Sequence, residues 1–442
     1  FFILNNKEET KMYWNEYYEC MDHSELEKIQ LERLKATLER VYYNVKPYRE
    51  LMQKENLRPE DINTLEDLKK LPFMKKQFLR ANYPYGLFAT PMEEVVRIHS
   101  SSGTSGKPTV VGYTRNDINN WSEMVARSFT MAGVKKHDII HNSYGYGLFT
   151  GGMGIHYGAE KLGASIVPVS GGNTKRQVML MNDYQCSVLA CTPSYALYLA
   201  EEMSKEGLTA ESSKLKYGIF GAEPWSENMR SEIEHKLGIT ALDIYGMSEL
   251  MGPGVAMECT EKNGLHVAED HFIIETIDPN TGEVLPYGEE GEIVFTSLTK
   301  EAFPIIRYRT GDISRIYTQK CACGRTHYRL ARIEGRSDDM LIIRGVNVYP
   351  SQIEHELLSV EGIEPHYQLV VSKQGVLDTL EVQVEVSQRI SSGDANSLSS
   401  LSNHIRKKLE SSLGISVFVS LMESGTIARS EGKANRIIRK VS

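Results

Sequence analysis

The chain has 442 residues, of which 41% are hydrophobic and 24% charged, and its formal net charge at pH 7 is −8. This length exceeds what one compact core supports and predicts two or three domains. Acidic and basic residues are mixed along the chain, so we expect no basic face for a nucleic acid. No apolar run approaches the roughly 20 residues that cross a bilayer, so we expect no membrane partner.

The six cysteines are few for a disulfide scaffold, and Cys321 and Cys323 stand one residue apart. This usage is typical of a reducing compartment, so we expect a cytoplasmic location. The first residues, Phe-Phe-Ile-Leu, lack the basic start and long apolar stretch of a signal peptide. We assign no function to residues 1–11.

The first predicted element is an amphipathic helix over residues 24–45, whose apolar side chains fall on one stripe. Ser24 is positioned to cap the start of this helix, and Pro47 is positioned to stop it. Shorter apolar patterns follow over residues 64–81. These patterns predict a helical lead-in over about residues 12–94.

From about residue 95, short β-rich runs alternate with helical stretches, and several runs end in glycine-bearing turns. This rhythm predicts βα units in a largely parallel sheet, with ligands at the carboxyl ends of the strands. A β-richer subregion covers roughly residues 271–318. The predicted parallel strands cover residues 139–140, 165–169, 187–192, 217–220 and 241–245.

After Asp338 the pattern becomes helix, strand, strand, helix, strand, which predicts a compact α+β unit. The predicted elements cover residues 351–360, 367–373, 379–386, 397–413 and 416–422. We therefore predict an α/β fold with a large N-terminal domain, residues 1–337, that contains mostly parallel sheets and the β-rich subregion. A hinge at Asp338 joins it to a small α+β C-terminal domain, residues 338–442.

A loop rich in glycine and hydroxyl groups follows a short β-like run. Gly103 and Gly106 let the backbone turn and expose its amides, and Lys107 adds charge, so the loop suits triphosphate oxygens. It is not a Walker loop, because two residues separate the glycines and Pro108 follows the lysine. A polar surface turn is the alternative. The candidate phosphate ligands are Ser101, Ser102, Gly103, Thr104, Ser105, Gly106 and Lys107.

Three later segments carry groups that suit a nucleotide. In the run Asp243-Ile244-Tyr245-Gly246-Met247-Ser248-Glu249, Tyr245 can stack on a purine and Glu249 can hold Mg²⁺ between phosphates. Asp312 lies on a tight turn that suits two ribose hydroxyls. Lys433 lies in a polar loop near the C-terminus. Considered singly, each is equally typical of a structural turn or a solvated lysine.

In this order and spacing, the segments together resemble the adenylate-forming superfamily of acyl-CoA synthetases, and more closely the phenylacetate–CoA ligases. The resemblance covers about residues 24–438, essentially the whole chain. Its further motifs are Asn82-Tyr83-Pro84-Tyr85-Gly86-Leu87-Phe88, residues 97–113, Tyr144-Gly145-Tyr146-Gly147-Leu148-Phe149, Gly221-Ala222-Glu223-Pro224 and Arg344-Gly345-Val346-Asn347-Val348-Tyr349-Pro350.

For the nucleotide, the resemblance implies that the loop around Gly103 holds the β and γ phosphates. It also implies that Asp312 binds the ribose and that Arg336 assists near the nucleotide. The segments 221–224 and 243–245 would border the adenine. The same resemblance gives as further nucleotide-binding positions Gly221, Ala222, Glu223, Pro224, Asp243, Ile244, Tyr245, Gly246, Met247 and Ser248.

For the chemistry, the resemblance implies that Glu249 binds Mg²⁺ and that Lys433 joins the carboxylate to the α-phosphate. Asp338 would be the hinge about which the small domain rotates between the two steps. Such a reaction brings two anions together, so charge and position dominate it and no side-chain nucleophile is needed.

The acyl group would, by the same resemblance, be bordered by Tyr144, Tyr146 and Phe149. Aromatic walls beside a glycine-rich backbone suit a flat ring better than a long alkyl chain. Ordinary core aromatics are the alternative. Phenylacetate, a hydroxylated phenylacetate and indoleacetate all remain open as the acid.

A second constellation consists of Cys259, His266, Cys321 and Cys323. Four soft or borderline ligands suit a closed, structural Zn²⁺ site, and some phenylacetate–CoA ligase relatives carry a similar cysteine-rich insertion. His271 or His327 could take the place of His266. Free buried thiols are the alternative to bound zinc.

The sequence therefore predicts an ATP-dependent ligase that adenylates an arylacetic acid and transfers the acyl group to coenzyme A, releasing AMP and pyrophosphate. ATP, Mg²⁺ and coenzyme A would be its cofactors, with structural Zn²⁺. The resemblance to this family implies a dimer, so we expect a homodimer. The alternatives are an adenylyltransferase that forms an AMP ester without coenzyme A and a non-catalytic nucleotide-binding sensor.

Overall fold

The structure is a computed structural model, and it describes residues 13–101, 108–336, 341–343, 346–374, 377–391, 395–431, 434 and 436–440. Three predicted features, the loop residues from Ser102 to Lys107, the hinge residue Asp338 and Lys433, lie outside the described residues. Within the described ranges no helix combines the length and apolarity needed to cross a membrane.

One long helix and several short ones form the predicted lead-in. They are α1 (Glu16–Cys20), α2 (His23–Asn44), α3 (Lys46–Lys54) and α4 (Lys76–Ala81), with 3₁₀ turns at Pro59–Asp61, Leu65–Lys70 and Met92–Glu94. The long helix predicted for residues 24–45 is confirmed as α2, but Asp22 occupies its N-cap position, so Ser24 does not cap it. Pro47 lies in the first turn of α3, where a backbone N–H has no partner within the helix, so proline costs no hydrogen bond there.

The predicted alternation of strands and helices is confirmed. The strands of this part are β1 (Arg97–Ser100), β2 (Val110–Tyr113), β3 (Ile139–Asn142), β4 (Ser165–Pro168), β5 (Val188–Cys191), β6 (Tyr217–Gly221), β7 (Thr240–Met247), β8 (Gly252–Glu258) and β9 (Leu265–Val267). The helices are α5 (Arg115–Met131), α6 (Thr150–Leu162), α7 (Thr174–Asp183), α8 (Pro193–Lys205) and α9 (Glu227–Leu237). Strands β1 and β2 pair antiparallel across the base of the glycine-rich loop.

The predicted β-rich subregion contains β10 (Phe272–Ile277), β11 (Gly291–Ser297), β12 (Tyr308–Ser314) and β13 (Ile316–Tyr317), and β14 (Arg329–Leu330) and β15 (Gly335–Arg336) follow it. Strands β10, β11, β12 and β15 form an antiparallel sheet in that order. The central sheet of the described residues has the order β13-β14-β9-β8-β7-β6-β5-β3-β4. Its neighbours from β4 to β7 are parallel, so their carboxyl ends meet at one edge.

The C-terminal part is α+β. Its elements are β16 (Leu341–Ile343), β17 (Val346–Val348), α10 (Pro350–Leu358), β18 (Ile363–Gln374), β19 (Leu377–Val386), α11 (Gln388–Ser391), α12 (Ala395–Leu413), β20 (Phe418–Glu423) and β21 (Ile437–Arg439). The predicted helix, strand, strand, helix and strand appear in that order as α10, β18, β19, α12 and β20, whereas β16, β17 and α11 were not predicted. The sheet order is β20-β19-β18-β21. Strand β21 escaped prediction because three residues carry no periodic pattern, and its parallel pairing with β18 is a long-range contact.

A buried ion pair ties α5 to the turn before β10. The Arg127 guanidinium donates to both carboxylate oxygens of Asp270, at 2.7 and 3.0 Å, and both side chains are almost wholly buried. Burial alone would raise the pKa of Asp270, but Arg127 and His271 hold that pKa well below its usual range. The carboxylate is therefore ionised, and each charge depends on the other.

Asp270→Asn should lower the free energy of unfolding by about 3–5 kcal/mol, because it leaves the Arg127 charge buried without a counter-charge. Equilibrium unfolding in urea, followed by fluorescence, measures the change. Glu66→Gln is the control, since Glu66 pairs with Lys69 at the surface and should change stability by less than about 1 kcal/mol. Equal losses for the two variants would contradict the structural importance of the buried pair.

Candidate active site

A cavity of about 530 Å³ lies at the carboxyl ends of the parallel strands. It is lined by Lys76, Ser101, Ser143, Tyr144, Gly145, Phe149, Thr150, Gly151, Gly171, Thr192, Tyr195, Ala222, Ile244, Gly246, Met247, Ser248, Glu249, Pro253, Arg336 and Glu431. The cavity thus brings together the base of the glycine-rich loop, the segment 144–149 (the aromatic loop), the turn after β7 and the segment that contains Glu431. This is the edge at which the sequence predicted ligand binding.

Two of the three predicted acyl-binding aromatics line this cavity. Tyr144 is buried and its hydroxyl donates to the carbonyl oxygen of Ile219 at 3.4 Å, whereas Phe149 is half exposed. Tyr146 is not among the lining residues. Its hydroxyl is 2.7 Å from the Asn142 amide nitrogen and 3.1 Å from His156 Nδ1, which turns the ring toward α6.

A smaller cavity of about 90 Å³ adjoins the first and shares Ala222, Ile244, Gly246, Met247 and Arg336 with it. Its other lining residues are Glu223, Pro224, Asp243, Tyr245, Leu265, Asp312, Arg332 and Ile333. Most of the positions predicted to surround adenine and ribose therefore meet in one place. Gly221 is not in the lining and instead makes room for the backbone, since a Cβ there would lie 2.1 Å from the carbonyl oxygen of Ile244.

Asp312 is held in place from two sides. The Tyr245 hydroxyl donates to one of its oxygens at 2.6 Å, and the Arg336 guanidinium donates to the other at 2.6 Å. Arg336 also donates to the carbonyl oxygen of Thr310, and the Tyr245 ring stacks on Phe295 with centroids 5.9 Å apart. The structure thus connects three candidates that the sequence offered separately.

Behind this smaller cavity lies a charge network that sequence reasoning missed. The backbone N–H of Asp243 donates to Glu258 at 2.8 Å, and Arg230 contacts both oxygens of Glu258 at 2.8 Å. Burial, and then the charge of Glu258, raise the pKa of Asp243 to about 7. The Trp225 ring lies 4.9 Å and 5.0 Å from the guanidiniums of Arg230 and Arg332. In the sequence, this network is indicated by no motif, but only by charged residues that stand singly within largely apolar stretches.

Glu249 is 3% exposed and lines the larger cavity. Among the described residues no ion-pair partner for its carboxylate is found. A buried carboxylate facing a cavity is an oxygen ligand that fits a hard divalent cation. Next to it, the Ser248 hydroxyl is 3.2 Å from that of Thr150.

The base of the glycine-rich loop is closed by backbone hydrogen bonds. The N–H of Ser101 donates to the carbonyl oxygen of Thr109 at 2.9 Å, and the N–H of Ser100 donates to that of Leu148 at 2.9 Å. His99 Nδ1 lies 3.0 Å from the same Leu148 oxygen. The strand that leads into the loop is therefore attached to the aromatic loop.

The residues on both sides of Lys433 lie against the large N-terminal region. Glu431 lines the larger cavity, and the N–H of Ala434 donates to Glu223 at 2.8 Å. Glu431 and Ala434, which flank the predicted lysine in the sequence, thus lie at the edge of the two cavities.

The four predicted zinc ligands come together away from the cavity, beside β9. The candidate ligand atoms of Cys259, His266, Cys321 and Cys323 lie within 4.8 Å of one another, and all four residues are buried. The histidine of this group is His266; His271 and His327 are not part of it.

The spacing within this group fits a tetrahedral ion. The thiol sulfurs of Cys259 and Cys321 are 3.7 Å apart, and Cys323 Sγ is 3.4 Å from His266 Nε2. Two thiolates that are each about 2.3 Å from a tetrahedral zinc ion stand about 3.8 Å apart. The donor set and its spacing therefore match those of a closed zinc site.

Comparison with known proteins gives consistent matches. A family model described as AMP-binding enzyme matches residues 21–299, and one described as AMP-binding enzyme C-terminal domain matches residues 345–440. The chain is 52% identical to a phenylacetate-coenzyme A ligase of Pseudomonas putida over 416 residues, which are 94% of each chain.

Two solved structures of one ligase match to different degrees. The 2-hydroxyisobutyryl-CoA ligase in the postadenylation state, in complex with R3-HIB-AMP, gives a TM-score of 0.92 at 28% identity, covering 100% of this chain and 95% of that one. The same ligase in complex with 2-HIB-AMP and CoA, in the thioesterification state, gives a TM-score of 0.73 at 29% identity, covering 97% and 92%.

Proposed function

Because the chain belongs to the phenylacetate–CoA ligase family of adenylate-forming enzymes, as its sequence predicted, we propose that its acid substrate is an arylacetic acid of the phenylacetate type. The reaction class is that of the family: the chain is an ATP-dependent, AMP-forming acid–CoA ligase. These relatives do not favour the two alternatives, an adenylyltransferase without coenzyme A and a non-catalytic sensor. The homodimer and the cytoplasmic location stay predictions.

The aromatic and glycine-rich walls of the larger cavity carry the proposal for the acid. Tyr144 and Phe149 face a space bounded also by the apolar side chains of Ile244 and Pro253, and glycines leave room for a flat ring between them. The relative from Pseudomonas putida is named for phenylacetate, which supports the same choice.

The nucleotide would lie across both cavities. Asp312, fixed by Tyr245 and Arg336, would accept the ribose hydroxyls, and segments 221–224 and 243–248 would border the base. The glycine-rich loop would hold the β and γ phosphates. Glu249 would hold Mg²⁺, which when bound supplies positive charge between the phosphates.

The adenylation step would depend on Lys433. Carboxylate attack at the α-phosphate brings two anions together, and a positioned ammonium lowers the cost of this approach. We assign residues 1–337 and 338–442 to two domains that change their arrangement about Asp338 between the two steps. The difference between the TM-scores of 0.92 and 0.73 supports this assignment, because both values come from one ligase in two states.

The acid can be identified by acid-dependent ATP–pyrophosphate exchange over phenylacetate, indoleacetate and hexanoate, followed by coenzyme A-dependent AMP release. Phenylacetate should give the highest kcat/KM. Phe149→Ala should lower that value about tenfold, equivalent to about 1.4 kcal/mol, because it removes one wall of the aryl site. Leu148→Ala is the control, since Leu148 is exposed and does not line the cavity. A preference for hexanoate, or equal losses in the two variants, would contradict the proposal.

Lys433→Ala should lower the rate of adenylation by about 10²–10³, the effect of removing one transition-state donor. Thioester formation from supplied phenylacetyl-adenylate should stay close to that of the unsubstituted protein. Single-turnover measurement of each half-reaction separates the two effects. Lys440→Ala is the control. It removes the same charge from the residue that follows β21, and it should change neither rate. Adenylation near the unsubstituted rate in Lys433→Ala would exclude this lysine as the adenylating group.

We further propose that Cys259, His266, Cys321 and Cys323 hold a structural zinc ion. With all four positions supplied by the protein, the site has no open position for substrate, so its role is to join β9 to the loop before β14.

Protein purified without added metal or chelator should contain about one zinc ion per chain by elemental analysis. Cys321→Ser should lose most of this zinc and melt at a lower temperature, because serine is a poor zinc ligand of similar size. Cys20→Ser, outside the four-residue group, should keep both zinc content and melting temperature. A zinc content near zero in the active, unsubstituted protein would end this proposal.

A further inference from the structure

Glu223 connects the large N-terminal region to the segment that contains Lys433. One of its carboxylate oxygens accepts a hydrogen bond from the N–H of Ser194, in the first turn of α8, at 2.8 Å. The other accepts from the N–H of Ala434, directly after Lys433, at 2.8 Å. Its two oxygens therefore join a fixed helix terminus to the C-terminal segment.

Glu201 makes a matching contact on the other side of the lysine. It lies on α8, and its carboxylate accepts from Arg429 Nε at 3.2 Å and contacts the His366 ring nitrogen Nε2. Burial opposes ionisation, but His366 and Arg429 lower the pKa of Glu201 to about 2. The carboxylate is therefore charged and paired with two groups of the C-terminal part.

Arg429 is itself held rigidly within the C-terminal part. Its guanidinium donates to both oxygens of Glu385 at 2.9 Å, and Glu385 is wholly buried. Glu385 also accepts from the N–H groups of Gly425 and Ile427, at 2.9 and 2.7 Å. The Nε edge of the Arg429 guanidinium faces the large N-terminal region, where it donates to the Glu201 carboxylate.

Between these two contacts, the chain packs against a glycine turn after β4. A Cβ on Gly171 would lie 2.9 Å from the carbonyl oxygen of Glu431, and one on Gly172 would lie 3.0 Å from its carboxylate. Gly172 has φ +89°, where side chains other than glycine are strained. The close approach of Glu431 therefore needs both glycines.

We propose that Glu201 and Glu223 form a docking clamp: the two carboxylates bind Arg429 and Ala434, which precede and follow Lys433 in the sequence, and so select the arrangement in which adenylation occurs. Both are positioning residues, since they act on the reaction through the segment they hold. The clamp rests on the proposed role of Lys433. The chain matches the postadenylation state of its structural relative far better than the thioesterification state, so these contacts belong to the first arrangement.

The clamp should affect only the half-reaction that needs Lys433 in place. Contacts that exist in one arrangement raise its population relative to the other, and removing them shifts the equilibrium away from it. A merely structural role of the same residues would slow both half-reactions or lower the stability. The two possibilities are therefore distinguished by which half-reaction changes.

The test uses Glu201→Gln and Glu223→Gln, which keep side-chain shape. A glutamine at 223 has one acceptor oxygen for two N–H donors, and at 201 it removes the charge that faces Arg429. Asn228→Ala is the control, because Asn228 donates to the carbonyl oxygen of His355 at 3.1 Å and so bridges the same two parts away from the lysine segment.

Single-turnover adenylation of phenylacetate should fall about tenfold in each glutamine variant, and the KM for ATP should be unchanged in Glu201→Gln, which lies outside both cavities. Thioester formation from supplied phenylacetyl-adenylate and coenzyme A should be unchanged or faster. Asn228→Ala should change the two rates equally or not at all. Melting temperatures of all variants are compared so that a loss of folded protein is not read as a loss of rate.

Equal slowing of both half-reactions in the glutamine variants would overturn the clamp, as would adenylation at the unsubstituted rate. Lys433→Ala serves as the reference in the same assays. If Lys433→Ala is slow in adenylation while Glu201→Gln and Glu223→Gln are not, the clamp fails and the role of the lysine stands. If Lys433→Ala adenylates normally, the proposed function of the lysine fails first.

Discussion

The ligand-binding edge depends on one close backbone contact between β6 and β7. The carbonyl oxygen of Ile244 lies where a side chain at residue 221 would have to be, so only glycine fits at the end of β6. The next residue, Ala222, has φ +70°, a left-handed conformation that costs energy without glycine. This turn places Glu223 toward α8 and the C-terminal segment, while β7 carries Tyr245 toward Asp312. The close contact between β6 and β7 therefore positions the residues that line both cavities and the Glu223 carboxylate that accepts from Ala434.

Among the described residues that line the two cavities, acidic side chains outnumber basic ones, which is unexpected for a site that binds a polyanion. Asp312 and Glu223 each accept hydrogen bonds from two donors of the protein. Asp243 is held through its backbone N–H, which donates to Glu258. These carboxylates suit hydroxyl and amine donors on the ribose and base, the uncharged part of a nucleotide. Glu249 differs, because no described residue pairs with it. In the proposed function, the phosphates would therefore lie at the end of the site where Glu249 would recruit Mg²⁺ and where the glycine-rich loop and Lys433 would supply positive charge.

The sequence predicted the elements well where their pattern was local. Helix α2 and the parallel strands repeat apolar residues at periods that a sequence displays directly, and the spacing of Cys321 and Cys323 indicated a metal site. Contacts between distant segments were not predictable in this way. Strand β21 exists because β18 offers it an edge. Glu223 lines the smaller cavity as predicted, but its hydrogen bonds with Ser194 and Ala434 join distant segments and could not be read from the sequence. Tyr146 shows the same limit, since the hydrogen bond to Asn142 turns it away from the cavity.

The strength of the contacts at Glu201 and Glu223 suits a domain that must both dock and leave. A hydrogen bond to a charged group contributes about 1.5–3 kcal/mol, so the contacts of Glu201 with Arg429 and His366 and of Glu223 with Ala434 together supply about 4.5–9 kcal/mol. Moving a two-state equilibrium from 1:99 to 99:1 takes about 5.5 kcal/mol. The contacts are thus strong enough to favour one arrangement, yet a modest change in what fills the cavity can release it. The release of pyrophosphate removes negative charge that Lys433 would neutralise, which lowers the advantage of keeping the segment docked. Because Arg429 and Glu385 both belong to the C-terminal part, their bond does not have to break when the contacts with Glu201 and Glu223 are lost.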